Sequence, residues 1–585
     1  MIFATMKFLS SSSRLLRHTL ISSINILSRH RHACACTSTS SIRKIAAASM
    51  SYPCFVRKVA TYATIDTGQK QHACWARPHH HSLLAALAEH ARAIPIKAQH
   101  VEVLRSPAEF YESLKEGVSG AKNRIVMASL YLGVGQLERQ LLDLIADTVV
   151  SRPELRATLL FDALRSTRPS PTHDGTMITS AEMISKQLLS RLHKSDKLIE
   201  FGIDAGARVR VGLYHTPDLT RMLKLLLPAR WNEVVGVCHI KAYIFDDNVL
   251  ISGANLSSSY FTNRQDRYIW IHQSSELADY LCNLVSTVAN FSYSLRDESK
   301  VFANPSLVDP IYEPKAYKDR LAEAVNKLIS LQPDMEPSRR KQNKINGKDD
   351  SGLWLNNVCA NTWVFPTTQM GPVGIEQDEL CTFSMLRQLP AGSHLDFSSA
   401  YFNLTPEFES VLLEASADKK VDILTASPEA NGFYGSRGAS GLIPLVYSLL
   451  EQSLYRRAEN AHKEGTLFKV NNVLVDESGT LRIFEYKKEN WTFHAKGLWC
   501  SLPGEGIPSI TLVGSSNFGH RSKHRDLEAQ LVLMTSEPSL GQSLKQEKDH
   551  LYSYARIVNE NTFCDKGCAH GPAAKLAAHF VRGWL

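Results

Sequence analysis

The chain has 585 residues, with 66 Lys or Arg, 58 Asp or Glu and a formal net charge of +8. This length supports two or three domains with substantial cores and excludes a peptide or a small stapled scaffold. Its composition, 44% hydrophobic and 21% charged, excludes a fibre or a mostly disordered chain.

The excess positive charge lies at the amino terminus. Residues 1–65 contain nine Lys or Arg and no acidic residue, and the first carboxylate is Asp66. The remainder has 57 basic and 58 acidic residues, a net charge of −1. A basic, acid-free, Ser-rich segment with Leu and Ile at helical spacing is typical of a mitochondrial presequence. We therefore predict a presequence and disordered region at 1–65, with a disordered basic tail as the alternative.

The eleven cysteines follow no regular spacing. An odd, scattered set argues against a disulfide framework and for a compartment that keeps thiols reduced. Cys564, Cys568 and His570 lie close together, but they lack a fourth ligand and a usual zinc spacing, so we interpret the cysteines as ordinary thiols. We predict neither a metal nor a cofactor. Because no stretch of about 18 apolar residues occurs, we also predict no membrane-spanning helix.

Strands and helices alternate in two halves of similar plan. The predicted strands are residues 124–132, 155–161 and 208–214 in the first half, and 394–402 and 421–425 in the second. A helix follows the first strand of each half, with an apolar stripe from Leu137 in one and an opening Pro406 in the other. This alternation predicts an α/β fold. Residues 333–352 contain few large apolar residues, so we predict a linker there between domains at 95–332 and 353–585.

Two His-x-Lys triplets each begin the same longer pattern. Each starts a strand, turn and strand that end in a small-residue turn and an Asn, and a carboxylate follows eleven residues after the Asn. The two sets are His239, Lys241, Asn255 and Asp266, and His494, Lys496, Asn517 and Glu528. Seven extra residues in the second copy fall in the turn at 502–508, where a hairpin tolerates insertion.

This spacing indicates phosphodiester chemistry. Residues i and i+2 of a strand face the same side, so the His and Lys of each triplet project together. Lysine and amide donors stabilise charge on phosphoryl oxygens. One neutral histidine can attack phosphorus while the other, protonated, supplies a proton to the leaving group. These two roles require environments that separate the two pKa values.

The paired motifs resemble those of the phospholipase D superfamily, His-x-Lys-x4-Asp followed by a Gly/Ser-rich turn and Asn. The first copy matches with His239, Lys241 and Asp246, whereas Ser501 replaces the Asp of the second copy. The resemblance covers most of residues 100–540. It implies an α/β fold of two phospholipase D-like repeats, each a mixed β-sheet flanked by helices, with the active site at their interface.

Several segments, including ASLYLGVG and WTFHAKGLW, are similar in sequence to the eukaryotic phosphatidylglycerophosphate synthase branch of that superfamily. This resemblance implies transfer of a phosphatidyl group from CDP-diacylglycerol to sn-glycerol 3-phosphate, with release of CMP, on the mitochondrial route to cardiolipin. It also implies peripheral contact with the matrix side of the inner membrane. Other phosphatidyltransferases or hydrolases of the superfamily remain alternatives, as does a catalytically inactive scaffold. A nucleic-acid phosphodiesterase is disfavoured by the net charge of −1.

The resemblance implies a role for each motif residue. His239 would be the nucleophile that forms a phosphatidyl-histidine, and His494 the general acid and then the base, although the near-symmetric motif leaves the reverse assignment open. The supporting residues are Lys241, Lys496, Asn255, Asn517 and Ser515 on the phosphoryl oxygens, Asp266 and Glu528 on the imidazoles, and Asp246 in support of the first site.

Two further segments allow two interpretations each. Ser129, Gly133 and Gly135 lie where a strand passes into a helix, so they could form a nucleotide or phosphate loop or a purely structural turn. The cluster Arg521, Lys523 and Arg525 could bind the phosphate of the acceptor or lie in a solvated loop. The C-terminal stretch 572–585 is amphipathic, so it could contact a membrane or pack on the core.

Overall fold

A computed structural model describes residues 78–194, 208–227, 232–296, 301–302, 308–330, 360–463 and 480–565. All of these belong to one compact unit. The predicted presequence at 1–65, the linker at 333–352, the stretch 572–585, and Cys568 and His570 lie outside the described residues. In the described ranges, no helix combines the length and apolar character needed to cross a bilayer.

The first half contains thirteen strands among the residues described. They are β1 Ile94–Ile96, β2 Val101–Leu104, β3 Arg124–Ala128, β4 Arg156–Asp162, β5 Ser170–Pro171, β6 Met177–Ile178, β7 Val209–Tyr214, β8 Ala242–Phe245, β9 Asn248–Ser252, β10 Arg264–Gln265, β11 Tyr268–Ile271, β12 Tyr293–Leu295 and β13 Val301–Phe302.

The described part of the second half contains ten strands. They are β14 Thr362–Met370, β15 Ile375–Glu376, β16 His394–Ser399, β17 Lys420–Ala426, β18 Thr480–Tyr486, β19 Thr492–Phe493, β20 Lys496–Ser501, β21 Ile510–Gly514, β22 Leu527–Thr535 and β23 Ala555–Ile557.

Helices connect these strands. They are α1 Pro78–Ala88, α2 Pro107–Gly120, α3 Gln136–Ser151, α4 Ala163–Ser166, α5 Ser180–Ile184, α6 Ser190–His193, α7 Arg221–Leu226, α8 Ser258–Thr262, α9 Ser275–Asn290, α10 Pro314–Ile329, α11 Gln377–Gln388, α12 Pro406–Ala415, α13 Ile443–Lys463, α14 His520–His524, α15 Pro538–Tyr552 and α16 Glu560–Asp565. A π-helical turn, Ser185–Leu189, joins α5 to α6, and 3₁₀ turns occupy Ala98–His100, Gly371–Val373 and Gly438–Leu442.

Two mixed sheets of the same design form the core. The first has the order β13-β12-β7-β4-β3-β8-β9-β11-β2, and the second β1-β14-β22-β21-β20-β16-β17-β18-β23, with β15 beside β14. Three central strands are parallel in each sheet, β3, β4 and β7 or β16, β17 and β18. The strand that follows each group of three parallel strands in sequence, β8 or β20, is antiparallel to the first strand of that group, β3 or β16. The predicted α/β fold of two repeats is therefore confirmed.

Apolar side chains on both faces explain why these strands are buried. Helices α2 and α3 cover the outer face of the first sheet, where Leu114 and Leu141 share a cluster with Met127. Another cluster joins the two sheets directly and includes Ile251 and Leu531, one from each. Strands buried on two sides have near-continuous apolar sequences, which is why apolar runs located them.

The amino-terminal part of the described chain packs on the second half. Strand β1 pairs with β14, Ile94 opposite Val364, and Leu83 and Leu87 of α1 lie in the apolar cluster of the second sheet. The predicted domain start at residue 95 therefore falls inside a strand of the other half's sheet. The first half thus contributes a strand to the sheet of the second half, which a boundary drawn from sequence composition does not reveal.

Candidate active site

The two His-x-Lys triplets lie where the two sheets meet, and each is held by backbone of the opposite half. The N–H of His239 donates to the carbonyl of Leu527, 2.9 Å away at the start of β22. The N–H of His494 donates to the carbonyl of Gln265, 2.7 Å away at the end of β10. Each histidine is therefore held by the opposite half just before its own strand, β8 or β20, begins.

This exchange brings each histidine to the other half's carboxylate. His239 Nδ1 lies 2.9 Å from Glu528 Oε2, and His494 Nδ1 lies 2.6 Å from Asp266 Oδ2. The reason is local, because Glu528 follows Leu527 and Asp266 follows Gln265. An Nδ1–H that donates to a carboxylate leaves the Nε2 lone pair available as a nucleophile or base. The two predicted histidine-orienting residues thus contact the imidazoles, but each contacts the histidine of the opposite half.

The two lysines are fully buried between the histidines. Lys241 Nζ donates to the carbonyl of His239 at 2.8 Å, and Lys496 Nζ lies 3.5 Å from the Asp266 carboxylate and 2.7 Å from His494 Nδ1. Burial lowers the pKa of Lys241 to about 7, against the opposing charge of Glu528. Burial likewise lowers the pKa of Lys496 to about 8, with Asp266 opposing it.

Burial controls the ionisation of the other four groups in the same way. It raises the pKa of Asp266 to about 6 and raises that of Glu528. It also lowers the pKa of both His239 and His494 well below the ordinary value, reinforced by Lys241 at the first and Lys496 at the second. The same two causes, burial and a neighbouring lysine, thus lower the pKa of both imidazoles.

The two Nε2 atoms nevertheless differ in their surroundings. His494 Nε2 lies 3.2 Å from the hydroxyl of Tyr260, and the rings of Tyr260 and Tyr401 pack edge-on against this imidazole. Within the described part of the chain, His239 Nε2 has no hydrogen-bond partner. The atom with a free lone pair is the better nucleophile.

The two signature asparagines lie at the ends of the matching turns. Asn255 Nδ2 donates to Tyr260 at 3.1 Å. The Oδ1 atoms of both Asn255 and Asn517 are buried, and neither has a partner among the described residues. Polar atoms buried without a protein partner indicate a place for a ligand or ordered water.

A glycine lets the first turn approach the charged groups. A Cβ at Gly253 would lie 2.6 Å from both Asp266 Oδ1 and Lys496 Cδ. The equivalent residue of the second turn, Ser515, was grouped with the phosphate ligands by sequence. Instead, its buried hydroxyl donates to the carbonyl of Ala529 and accepts from the N–H of that residue. Ser515 therefore fixes the strand that carries Glu528 rather than facing a ligand.

Asp246, which the resemblance assigns to support of the first site, lies away from the histidine pairs. It follows β8, at the opposite end of that strand from Lys241, with φ of 53°. Its carboxylate accepts from the backbone N–H groups of Lys122, Asn123 and Arg124. This anchoring of a hairpin to β3 explains why the second motif can have a serine at the matching position and still form its site.

The segment from Ser129 to Gly135 is a structural turn. Ser129 accepts from Leu256 N–H, and the Gly133 N–H donates to the Leu256 carbonyl. The buried carboxylate of Glu138 fills the space beside Gly133 and Gly135, 2.2 Å and 2.6 Å from where their Cβ atoms would be, and binds Ser258. A carboxylate already occupies this helix start, which favours the structural-turn interpretation.

The basic cluster after Asn517 is also held by protein groups. Arg521 donates to the Glu233 carbonyl and the Asp526 carboxylate, Lys523 pairs with Glu379 at 3.0 Å, and Arg525 donates to the Val234 carbonyl. These contacts fasten the segment before His239 to the turn after Asn517.

One group of potential metal ligands occurs among the described residues, and it lies apart from the histidine pairs. His394, Asp396 and Asp422 bring their ligand atoms within 4.8 Å of one another. Arg482 makes two hydrogen bonds to Asp422, and Lys548 bonds Asp396 at 2.9 Å. Protein cations already neutralise both carboxylates, so this donor set does not fit a metal.

Sequence reasoning missed Tyr260, Tyr401, Arg264 and Ser522. Ser522 donates to Glu528 Oε1 at 2.8 Å, and Arg264 Nη1 donates to the Tyr260 hydroxyl at 3.2 Å. In sequence, Tyr260, Arg264 and Ser522 are marked only by their position between a signature Asn and the carboxylate eleven residues later. Tyr401 lies outside both of these intervals.

No protein-family model matches the chain. It is 37% identical over 489 residues, 80% of both chains, to the mitochondrial CDP-diacylglycerol–glycerol-3-phosphate 3-phosphatidyltransferase of Gallus gallus. It is 36% identical over 480 residues, again 80% of both chains, to the protein of that name from Homo sapiens. The crystal structure of a Haemophilus influenzae phosphatidylserine synthase aligns with a TM-score of 0.57 at 19% identity, covering 87% of this chain and all of that one, which supports the fold. This extent of identity shows that the chain belongs to the CDP-diacylglycerol–glycerol-3-phosphate 3-phosphatidyltransferase family.

Proposed function

We propose that this chain transfers the phosphatidyl group of CDP-diacylglycerol to sn-glycerol 3-phosphate and releases CMP. The observation that carries the proposal is the pair of crossed histidine–carboxylate contacts, His239 with Glu528 and His494 with Asp266, enclosed with two buried lysines. Two such pairs supply both a nucleophile and an acid–base group to one phosphorus atom. Membership of the family selects this reaction among those that the same groups could perform.

In the first half-reaction, His239 Nε2 attacks the phosphorus that carries the diacylglycerol. A nitrogen–phosphorus bond forms, the bond to CMP breaks, and His494 supplies a proton to the departing phosphate. The negative charge of a bound diphosphate raises the affinity of the buried His494 for that proton. Lys241, Lys496 and the signature asparagines are the groups that we propose to hold the phosphoryl oxygens.

In the second half-reaction, the acceptor hydroxyl replaces CMP. His494 removes the hydroxyl proton, the oxygen attacks phosphorus, and the bond to His239 breaks. The products are phosphatidylglycerophosphate and the original neutral His239, so the cycle needs no further reactant. The free Nε2 of His239 supports this assignment over the reverse one.

Labelled glycerol 3-phosphate tests the proposal directly. Purified protein is incubated with CDP-diacylglycerol in detergent micelles and radiolabelled sn-glycerol 3-phosphate, and lipid label and CMP are measured. Equal labelling and CMP release are expected. Parallel reactions with serine or phosphatidylglycerol as acceptor test the other phosphatidyltransferases of this type. CMP release without incorporation of any acceptor would indicate a hydrolase.

We further propose that the chain works as a peripheral protein on the matrix side of the mitochondrial inner membrane, in the route to cardiolipin and after loss of a presequence, without a nucleic-acid partner. Exposed apolar side chains support the membrane contact. The described chain has nine exposed large hydrophobic residues, and six of them lie in the connections that follow β4, β7 or β17 in sequence. They are Met177, Met222, Leu225, Leu226, Tyr434 and Leu442.

These strand ends lie at the edge that carries the catalytic triplets. Ala128, at the end of β3, pairs with Ala242, the residue after Lys241, and Asp162 at the end of β4 accepts from the N–H of Cys238. Helix α7 has no buried residue, begins with Arg221 and carries Lys224 between its apolar residues. Apolar residues interleaved with exposed bases suit an anionic lipid surface.

Replacing the apolar side chains of α7 tests this contact. The triple variant M222S/L225S/L226S should lose about tenfold or more of its partition into cardiolipin-containing vesicles, since each side chain contributes about 1 kcal/mol or more on insertion. Flotation with the vesicles measures the partition. Leu380→Ser, at an exposed position of the otherwise largely buried α11, is the control and should float like the wild type. Equal flotation of the triple variant would refute the assignment of α7 to the membrane.

A further inference from the structure

We infer that Arg264, Tyr401 and Gly432 form a second phosphate-binding subsite beside the catalytic centre. The inference rests on the proposed function and extends it. The ligand is a phosphate group of a substrate other than the phosphoryl group under attack. Two sources share this chemistry, the phosphomonoester of sn-glycerol 3-phosphate and the CMP side of the donor diphosphate.

Arg264 is enclosed by neutral groups. Its Nε donates to Thr492 Oγ1 at 3.0 Å, its Nη1 donates to the Tyr260 hydroxyl at 3.2 Å, and its guanidinium lies 4.8 Å from the centre of the Tyr260 ring. None of the described residues places a carboxylate in ion-pair contact with it. A partly buried cation without a protein counter-ion is suited to bind an anion.

Arg267, three residues further on, shows what a structural arginine looks like in the same segment. Its guanidinium pairs with both oxygens of Glu547 at 2.9 Å, donates to Thr511 and the Leu512 carbonyl, and lies over the ring of Trp499. Every side of that group is occupied by protein. Arg264 has two hydroxyl partners, and its Nη2 makes no hydrogen bond to any residue that the structure describes.

A glycine lets the backbone approach the Nη2 side of Arg264 closely. A Cβ at Gly432 would lie 3.2 Å from Arg264 Nη2 and 3.1 Å from the Tyr401 hydroxyl. Gly432 and Thr492 also line a cleft of about 860 Å³ that opens past Trp491 and Lys487. The cleft therefore brings a small phosphorylated molecule to Gly432 and Thr492, the two residues that flank Arg264 Nη2 and Nε.

The subsite is connected to the reacting groups by one side chain. The Tyr260 hydroxyl lies 3.2 Å from both Arg264 Nη1 and His494 Nε2. The ring of Tyr401 packs against the other edge of the same imidazole, 5.4 Å between centroids. A phosphate on Arg264 would therefore lie next to His494, which handles both the leaving group and the acceptor hydroxyl.

Arg264→Gln and Gly432→Ala test the subsite in two ways, by removing the charge and by filling the space. Each variant should raise the KM for one substrate. The rise should be about tenfold or more for R264Q, because a charge-assisted contact to the phosphate is lost. Arg264→Lys should retain part of the affinity for that substrate. Exchange of labelled CMP into CDP-diacylglycerol, without acceptor, isolates the donor step. A raised KM for glycerol 3-phosphate with unchanged exchange identifies the acceptor phosphate, and a raised KM for CDP-diacylglycerol in exchange identifies the donor phosphate.

Arg456→Gln, which removes an exposed ion pair with Glu560, is the matched control and should leave both KM values unchanged. The subsite is overturned if both R264Q and G432A keep both KM values within twofold of the wild type, even with lower kcat or melting temperature. Calorimetric titration with inorganic phosphate separates this failure from that of the proposed function. If the wild type makes no lipid product but binds phosphate, and R264Q does not bind it, the proposed function alone is refuted. If R264Q binds phosphate like the wild type and has unchanged KM values, the subsite is refuted.

Discussion

Replacing Glu528 by Gln removes the charge of one crossed pair while preserving its shape. Glu528 is buried, contacts His239 Nδ1 with both oxygens at 2.9 and 3.1 Å, and accepts from Ser522 at 2.8 Å. A glutamine can still accept the Ser522 hydrogen bond. We therefore expect E528Q to fold and to lose the charge that stabilises a proton on Nδ1 of the nucleophile.

The expected loss of activity follows from that contact. A hydrogen bond to a charged group contributes about 1.5–3 kcal/mol, and each 1.36 kcal/mol is about tenfold in rate, so kcat should fall about 10- to 150-fold. If the amide donates to Nδ1, the proton moves to Nε2, the nucleophilic lone pair is lost, and the loss approaches about 10⁴-fold. CMP release from CDP-diacylglycerol in micelles measures kcat, and circular dichroism measures the melting temperature.

Glu547→Gln is the matched control, since this carboxylate is also buried at the junction of the sheets but binds Arg267. It leaves a buried guanidinium unpaired, which costs about 3–5 kcal/mol of unfolding free energy. E547Q should therefore lower the melting temperature strongly with little change in kcat of the folded protein, the opposite of E528Q. A kcat of E528Q within threefold of the wild type, or a loss matched by its melting temperature, would refute the reasoning.

Two further predictions concern the histidines and the pH dependence. H494N should accumulate protein-bound phosphatidyl label from CDP-diacylglycerol, because CMP leaves as a phosphate anion more readily without an acid than the acceptor hydroxyl reacts without a base. H239N should accumulate no label, and alkaline denaturing gels measure the bound label. Label on H239N instead of H494N would reverse the assignment of the nucleophile. The kcat/KM should fall below about pH 6, where Asp266 becomes protonated and no longer orients His494. It should fall again above about pH 7 to 8, as Lys241 and Lys496 lose their charge; a profile that stays flat to about pH 9 would contradict the assigned role of the lysines.

The strands and the triplets were predictable because their signals are local. Apolar runs located β4, β7 and β17 to within one or two residues. The predicted strand 124–132 ends early, at Ala128, because Leu132 leaves the sheet to bridge with Leu256. Motif spacing identified both histidines, both lysines and both carboxylates.

The pairing of these groups depends on contacts that spacing cannot report. The sequence predicts that Glu528 and Asp266 orient imidazoles, but the crossing arises because Cys238 forms a bridge with Leu527 and β10 with β19, between residues more than two hundred positions apart. The segment around Gly133 resembles a phosphate loop in sequence. The residue whose carboxylate fills the space beside that glycine, Glu138, looks like an ordinary helix residue in sequence. Arg264 gave no signal for a similar reason, since the missing counter-ion is visible only in three dimensions.

The crossed contacts have a consequence for the folding chain. His239 is separated from Glu528 by 289 residues, and His494 from Asp266 by 228. A protein with one folded half therefore has two imidazoles without their carboxylates, rather than one complete site of lower activity. Hydrolysis of a reactive lipid donor by partly assembled protein is thereby avoided, and enzymatic activity becomes a sensitive measure of whether the two halves are joined.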